Sequence, residues 1–347
     1  MNDWTPTPPL RSSLLRSDLL LDRLRLAPDL ERIERPNAGD VVACTVLDTN
    51  GPYCSIETGP VGRDEPLAVG TQILAVIGDR DSSVNPTGFV PQRSLGAGDV
   101  LDLLSAAGLV GVAEFIPRTQ GGRAMTLRFD GAFADANRQP INLRNFAPFR
   151  DEGSCPSAIH WIGVCGSAAE VGKTTLVERL LQASLRLTRK PVGAAKLSGT
   201  GRLRDPLRMA RAGASWTADF VDAGFETTYR ASQPEMVRLL RRISAAASKQ
   251  STELIVAELG GDILEAGVPH LLPLLSDVGA RFAFVAHDAM GAAYAQQRMA
   301  EAEVAFVARS TNVCAIARRL EVDRVYDVDD PVDVDDLYLW LSKSRCR

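Results

Sequence analysis

The chain has 347 residues, 45% of them hydrophobic and 24% charged, with a formal net charge of −4. That length admits two domains, and the composition is that of a soluble globular protein rather than a disordered or fibrous one. The mild acidity argues against non-specific nucleic-acid binding as the main task, and no apolar run approaches the roughly 20 residues a membrane-spanning helix needs.

The first 35 residues open with a Pro-rich tip and continue as LRSSLLRSDLLLDRLRLAPDLERIERP. Leucines at helical spacing alternate with Arg, Asp and Glu, which predicts an amphipathic helix docked on the protein or on a partner subunit. The interspersed acids argue against a targeting peptide, so the expected location is the cytoplasm. Six cysteines (44, 54, 155, 165, 314 and 346) are scattered without a CxxC pair. Reduced thiols fit that pattern better than a disulfide framework or a zinc site.

Residues 36–150 change character. VVACTVL, SIET, TQILAVIG, VGVAEFI and AMTLRF are short apolar or alternating runs, punctuated by Gly51-Pro52, Gly59-Pro60, Gly70, Asn85-Pro86 and Gly121-Gly122. They predict a β-rich, barrel-like domain. The piece from Asp99 to Ala107 reads as one helix within it. Asp79-Arg80-Asp81 and Arg118 are either substrate contacts or solvated loop charges, and the second is the expectation. A linker is expected over residues 139–157, which carry Pro140, Pro148 and Pro156.

From about residue 158 to the end (151–347 with the linker's tail), apolar strands alternate with helices expected near 174–187, 205–213, 233–249, 290–302, 312–320 and 333–343. The fold class expected is α/β, a mostly parallel sheet covered by helices and preceded by the smaller β-rich domain. Ligands in such sheets sit at the carboxyl ends of strands.

The first strand exit carries the chemistry. Trp161–Val164 is apolar, Gly166–Gly172 is a loop, and Leu176, Val177, Leu180 and Leu181 mark one face of a helix. Strand, loop, Gly-Lys-Thr and helix form a phosphate-binding loop. Its amides make a nest for phosphate oxygens, and the helix N-terminus adds partial positive charge. Gly166, Ser167, Ala168, Ala169, Glu170, Val171, Gly172, Lys173, Thr174 and Thr175 would cradle ATP or GTP. Lys173 reaches the terminal phosphates and Thr174 ligates magnesium.

Five residues separate Gly166 from Gly172, and Ser167 fills the usual first-glycine slot. GSAAEVGKT therefore resembles the GTDTEVGKT loop of dethiobiotin synthetase, with Ala168 in place of that family's metal-site aspartate. The resemblance implies that Lys196, ending the second strand, binds the reacting substrate and phosphate. Ser198, Gly199 and Thr200 follow it. Leu254 to Asp262 (LIVAELGGD) is similar to the family's VEGAGG strand end, which makes Glu258 a magnesium-site acid and puts Gly260 and Gly261 beside phosphate or substrate. Residues 204–214 (RDPLRMARAGA) resemble a stretch of the molybdopterin-guanine dinucleotide biosynthesis protein B family. Asp205 there is either a metal-shell acid or a helix N-cap before Pro206. Asp222 and Glu226 either face substrate or cap the next helix. His287-Asp288 and Arg309–Asn312 are weaker exits near the ligands. The N-terminal domain ahead of a phosphate loop also resembles, more distantly, the plan of the D-glutamate N-acetyltransferase family.

These resemblances imply an ATP- and magnesium-dependent ligase or cyclo-ligase acting on a small carboxylate or amine substrate. Lys173, Lys196 and Glu258 are its catalytic candidates, Thr174, Asp205 and Glu258 its metal shell, and a homodimer its assembly. Two alternatives are a nucleotide-dependent switch for a partner enzyme and an acyltransferase that uses the loop for a phosphate-bearing cosubstrate.

Overall fold

The computed structural model describes residues 8–26, 30–150, 159–309, 312–322 and 324–343. The first residues of the Pro-rich tip, Cys155, Cys346, residues 151–157 of the expected linker, and Ser310 and Thr311 lie outside them. The chain divides into two compact units. One comprises Met1–Pro148, Thr200–Arg204 and Gly224–Thr227; the other comprises Phe149–Gly199, Asp205–Ala223 and Thr228–Arg347.

The first unit is built on strands β1 (Leu10–Arg11), β2 (Leu30–Glu31), β3 (Val41–Val46), β4 (Ser55–Thr58), β5 (Arg63–Pro66), β6 (Gln72–Ile77), β7 (Thr87–Phe89), β8 (Val100–Ser105), β9 (Leu109–Phe115) and β10 (Thr126–Phe133). Pairing runs β6-β3-β10-β8-β9, and β9 returns to β6 through Val76↔Leu109 and Ile77↔Val110. Five strands thus close on themselves, which leaves no open edge in that ring. Val42, Cys44, Ile73, Leu101, Leu103, Val110, Leu127 and Phe129 fill its core.

Two expectations fail in this unit. The helix expected over Asp99–Ala107 is β8 followed by a turn. Leu101 and Leu103 are buried, Val100 points out, and Asp102 is half-buried. Cross-strand pairing with β9 and β10 overrides the leucines' helix propensity, because that two-residue period buries alternate side chains against the core. The N-terminal helix is also shorter than expected. Among the described residues of this segment only α1 (Asp18–Arg25) is helical, started by Ser17, whose hydroxyl accepts from the Leu20 amide.

The second unit alternates strands and helices: β11 (His160–Gly166), α2 (Lys173–Leu187), β12 (Gly193–Ser198), α3 (Arg204–Arg211, whose first residue groups with the other unit), β13 (Trp216–Asp219), α4 (Gln233–Lys249), β14 (Leu254–Leu259), α5 (Val268–Asp277), β15 (Arg281–Val285), α6 (Ala289–Arg298), β16 (Glu303–Ala308), α7 (Val313–Leu320), β17 (Tyr326–Asp327) and α8 (Pro331–Leu341). The sheet order is β13-β12-β14-β11-β15-β16-β17, every pair parallel. Helices cover its faces, so strands such as β12 are buried along their whole length. Leu176, Val177, Leu180 and Leu181 of α2 pack with Val334, Leu337, Tyr338 and Leu341 of α8 over Ile162, Val164 and Val256. Each fully buried leucine there contributes on the order of 2 kcal/mol of hydrophobic stabilisation.

Helix α5 is not in the sequence expectation. Pro269 lies in its first turn, and Val268, Leu271 and Leu275 are buried. Burial of that apolar stripe outweighs the one backbone hydrogen bond lost at Pro273. Among the described residues no helix is long and apolar enough to cross a membrane.

Candidate phosphate-loop site

Chain connectivity centres the site on β11. The next strand in sequence, β12, lies two places away in the sheet, and β14 fills the gap. The carboxyl ends of β11, β14 and β12 therefore face one crevice. Gly166 ends β11, where a Cβ would sit 2.8 Å from Val171 Cγ1 and 2.9 Å from the Val285 carbonyl oxygen. The turn into α2 passes through Glu170 at φ 62° and Gly172 at φ 110°. Gly172 is the N-cap of α2, so the loop amides and the free N–H groups of the first turn converge ahead of the helix.

Lys173 and Thr174 open α2. Lys173 is 5% exposed, and its Nζ donates to the Ala168 carbonyl oxygen at 2.6 Å. Burial holds its pKa below the ordinary lysine value, against the pull of Glu258. Thr174 Oγ1 donates to Glu258 Oε1 at 3.0 Å. Glu258 Oε2 is buried and accepts no hydrogen bond from any described residue. Burial pushes the Glu258 carboxyl upward, opposed by Lys196 and Lys173. An orphaned carboxylate oxygen beside a threonine hydroxyl fits a hard divalent cation, which takes oxygen ligands. Thr174 and Glu258 would hold magnesium.

Lys196 stands next to Glu258 because their strands pair in register, as do Val164 with Glu258 and Lys196 with Asp219. Its Nζ donates to Asp205 Oδ2 in a buried ion pair. Burial alone would lower the Lys196 pKa, but Asp205, Glu258 and Asp219 together raise it. Asp205 lies inside the first turn of α3, not at the N-cap that the following proline suggests, since the helix begins at Arg204. Lys196 engages it, so of the three expected metal-shell residues Thr174 and Glu258 fit a cation directly.

Glycines bring β12 and β14 together at their ends. Ser198 Oγ donates to the Gly260 carbonyl oxygen at 2.9 Å, and a Cβ on Gly260 would lie 2.5 Å from the Ser198 carbonyl oxygen. Gly199 at φ 107° and Gly261 at φ 85° complete the two turns.

Other predicted residues have different surroundings. Asp222 Oδ2 accepts the Asp219 amide at 2.9 Å, closing the turn after β13. Glu226 groups with the first unit and is fully buried, held by Arg144 Nε and Nη2 at 3.0 and 2.7 Å. Thr200 also belongs to that unit and bridges to Thr227. The His287 amide donates to Ser167 Oγ at 2.9 Å, and Asp288 caps α6. Asn312 Nδ2 donates to the His287 carbonyl oxygen. Arg80, read as a solvated loop charge, is 5% exposed.

Asp219 is the residue that sequence reading missed. It is fully buried at the end of β13, and its Oδ1 accepts the Val221 amide at 2.7 Å. The signal was present: an acid ending an apolar strand, as at Glu258. Cys165, one residue before Gly166, is not a nucleophile candidate, since burial pushes its thiol up to about 12.

A parallel sheet with this loop between its central strand and the following helix is a P-loop NTPase fold. No protein-family model and no curated protein matches the chain. Among solved structures it is similar to the signal recognition particle receptor FtsY from Elizabethkingia anophelis (15% identity, 56% of this chain and 69% of that one, TM-score 0.34). It is also similar to a ParA family ATPase from Chlorobium tepidum TLS (14%, 53% and 90%, TM-score 0.32) and to the hydrogenase maturation factor HypB from Archaeoglobus fulgidus (16%, 52% and 77%, TM-score 0.30). The reading of the site rests on its own residues.

Proposed function

We propose that the chain binds a magnesium nucleoside triphosphate, ATP or GTP, on Gly166–Thr175 and transfers its γ-phosphoryl group to a carboxylate or carbamate oxygen of a small substrate. The observation that carries this reading is the Thr174–Glu258 contact with its orphaned carboxylate oxygen, set between buried Lys173 and Lys196. Phosphoryl transfer needs positioning and charge stabilisation more than covalent chemistry from the protein, and these groups supply both. Lys173 exchanges the Ala168 carbonyl for phosphate oxygens. Lys196, held by Asp205, presents positive charge to the anionic acceptor. Magnesium, when bound, neutralises charge between the phosphates. An acyl phosphate made in this way would be captured by an amine, as in a ligase or cyclo-ligase.

The test is phosphate release by purified protein with magnesium and ATP or GTP, alone and with pooled carboxylic acids, amino acids and amines. Release that needs one pool and disappears in Lys173→Ala supports the reading. Nucleotide binding without stimulated release rejects it.

A second reading, a nucleotide-dependent switch for a partner protein, is favoured by the contact of His287 with Ser167. It ties the first loop residue to the start of α6, where Met290 is 85% exposed. A switch changes partner affinity with nucleotide and needs no small substrate. An acyltransferase would instead bind coenzyme A and consume no nucleotide. A homodimer remains part of the proposal, tested by sedimentation with and without nucleotide.

A further inference from the structure

Among the described residues, the first unit contains a buried cation with no acid paired to it. Arg80 follows β6, and its backbone exchanges two hydrogen bonds of 2.8 Å with Gly88. Gly88 is required there, since a Cβ would meet Leu104 Cδ2 at 2.5 Å and the Val112 carbonyl oxygen at 2.7 Å. This close approach carries the Arg80 side chain inward. Nη1 donates to Tyr53 Oη and to the Leu104 carbonyl oxygen, and the guanidinium carbon lies 5.7 Å from the Tyr53 ring centre. Both of its strong contacts are neutral. Neither flanking acid pairs with it; Asp79 Oδ1 accepts the Val90 amide and Asp81 is exposed.

Guanidinium does not deprotonate in proteins, so burial cannot neutralise it as it can a lysine. Burying an unpaired charge is costly, and the usual remedy is an acid with matching geometry. At Arg80 the Nε–H is buried with no acceptor, and Nη2 has no hydrogen bond among the described residues. Nε and Nη2 form the edge of the guanidinium that takes two oxygens in parallel. The same edge holds a carboxylate elsewhere among the described residues: Arg144 with Glu226, Arg208 with Glu178 and Arg138 with Glu31, at 2.7 to 3.0 Å. Arg80 has that edge, fixed by Tyr53 and Leu104, and no acid on it.

We propose that the Nε/Nη2 edge of Arg80 is a binding subsite for the carboxylate of a small molecule, with Tyr53 holding the guanidinium in plane. The subsite lies wholly in the first unit and does not depend on the phosphate-loop reading.

The experiment is calorimetric titration of the full-length protein with acetate, succinate and inorganic phosphate at constant ionic strength, for wild type, Arg80→Lys, Arg80→Met and Tyr53→Phe. The expected result is saturable carboxylate binding that weakens about tenfold or more in both Arg80 variants, because lysine keeps the charge but not the fork. Tyr53→Phe should weaken it about threefold. A purely structural arginine would lower stability on substitution and leave the carboxylate response unchanged, which overturns the proposal. So does a wild type that binds neither carboxylate, or an Arg80-dependent response to phosphate alone. Any phosphate taken up by the phosphate loop is common to all four proteins, so only the response lost with Arg80 counts. If Arg80→Met fails to fold, Arg80→Lys and Tyr53→Phe decide.

Discussion

Thr174 donates its hydroxyl to one oxygen of Glu258, and the other oxygen of that carboxylate is buried without a partner. The two residues are 84 positions apart and meet because β14 lies beside β11, with Glu258 level with Val164. Thr174 and Glu258 would hold a magnesium ion there, which would relieve the cost of the unpaired buried acceptor. Glu258→Gln should therefore reduce the magnesium-dependent gain in nucleotide affinity by about tenfold or more, while affinity in EDTA changes little. Nucleotide titrations with and without magnesium measure both. Equal magnesium dependence in the variant would remove Glu258 from the metal shell.

Lys173 is the buried cation of the loop. Lys173→Ala should lower turnover by a factor on the order of 100 or more, in line with the loss of one preorganised charge from a transition-state site. Phosphate release and nucleotide binding are measured together. A variant that keeps wild-type turnover would mean that the loop lysine does not act on phosphate.

The Lys196–Asp205 pair is buried on both sides. Asp205→Ala removes the carboxylate that accepts the Lys196 ammonium, leaves Glu258 and Asp219 as its nearby acids, and should cost about 3 kcal/mol in urea unfolding. Lys196→Ala should abolish acceptor-dependent release while nucleotide affinity stays near wild type. If both functions fall together, Lys196 serves the nucleotide and not the acceptor.

Gly260→Ala places a methyl group 2.5 Å from the Ser198 carbonyl oxygen and 3.5 Å from Lys196 Cε. The ends of β12 and β14 must then separate. The expected cost is about 1–3 kcal/mol, with loss of acceptor-dependent release. Thermal unfolding and the release assay report these separately.

Glu226 supplies a pH test. Burial raises its carboxyl above the ordinary 4.5, by more than Arg144 lowers it. The folded chain therefore keeps this proton to higher pH than the unfolded chain. The stabilisation is complete below pH 4.5 and is lost as pH rises through the folded value. In urea unfolding across this window, the stability of wild type relative to Glu226→Gln should decline as pH rises. A difference that grows with pH would mean that the pair with Arg144 dominates burial.

Much of the site was legible because its chemistry is local. Gly166 to Thr175 is one short run, and its strand, glycines, lysine and threonine specify loop conformation and helix start without reference to the rest of the chain. Lys196 and Glu258 were legible as polar residues ending apolar strands, a pattern that a buried parallel sheet makes unusual. Asp219 ends a strand in the same way, but its place beside Lys196 depends on the pairing of β12 with β13, which no local pattern marks.

Tertiary structure decided what depends on long-range pairing. The register of β12, β14 and β13 set Lys196 between Glu258 and Asp219, and no local pattern encodes that alignment. Residues 100–105 became a strand because pairing with β9 and β10 buries Leu101, Leu103 and Leu104 there, although leucine alone favours helix. Arg80 looked solvated between two aspartates, and only the close approach of Gly88 turned it inward. Sequence by itself determined the phosphate loop, since its hydrogen-bonding geometry is satisfied within a few residues. The neighbours that give the loop its buried acid, Glu258, and its second lysine, Lys196, come from strands far apart in the chain, and their meeting is a property of the folded sheet.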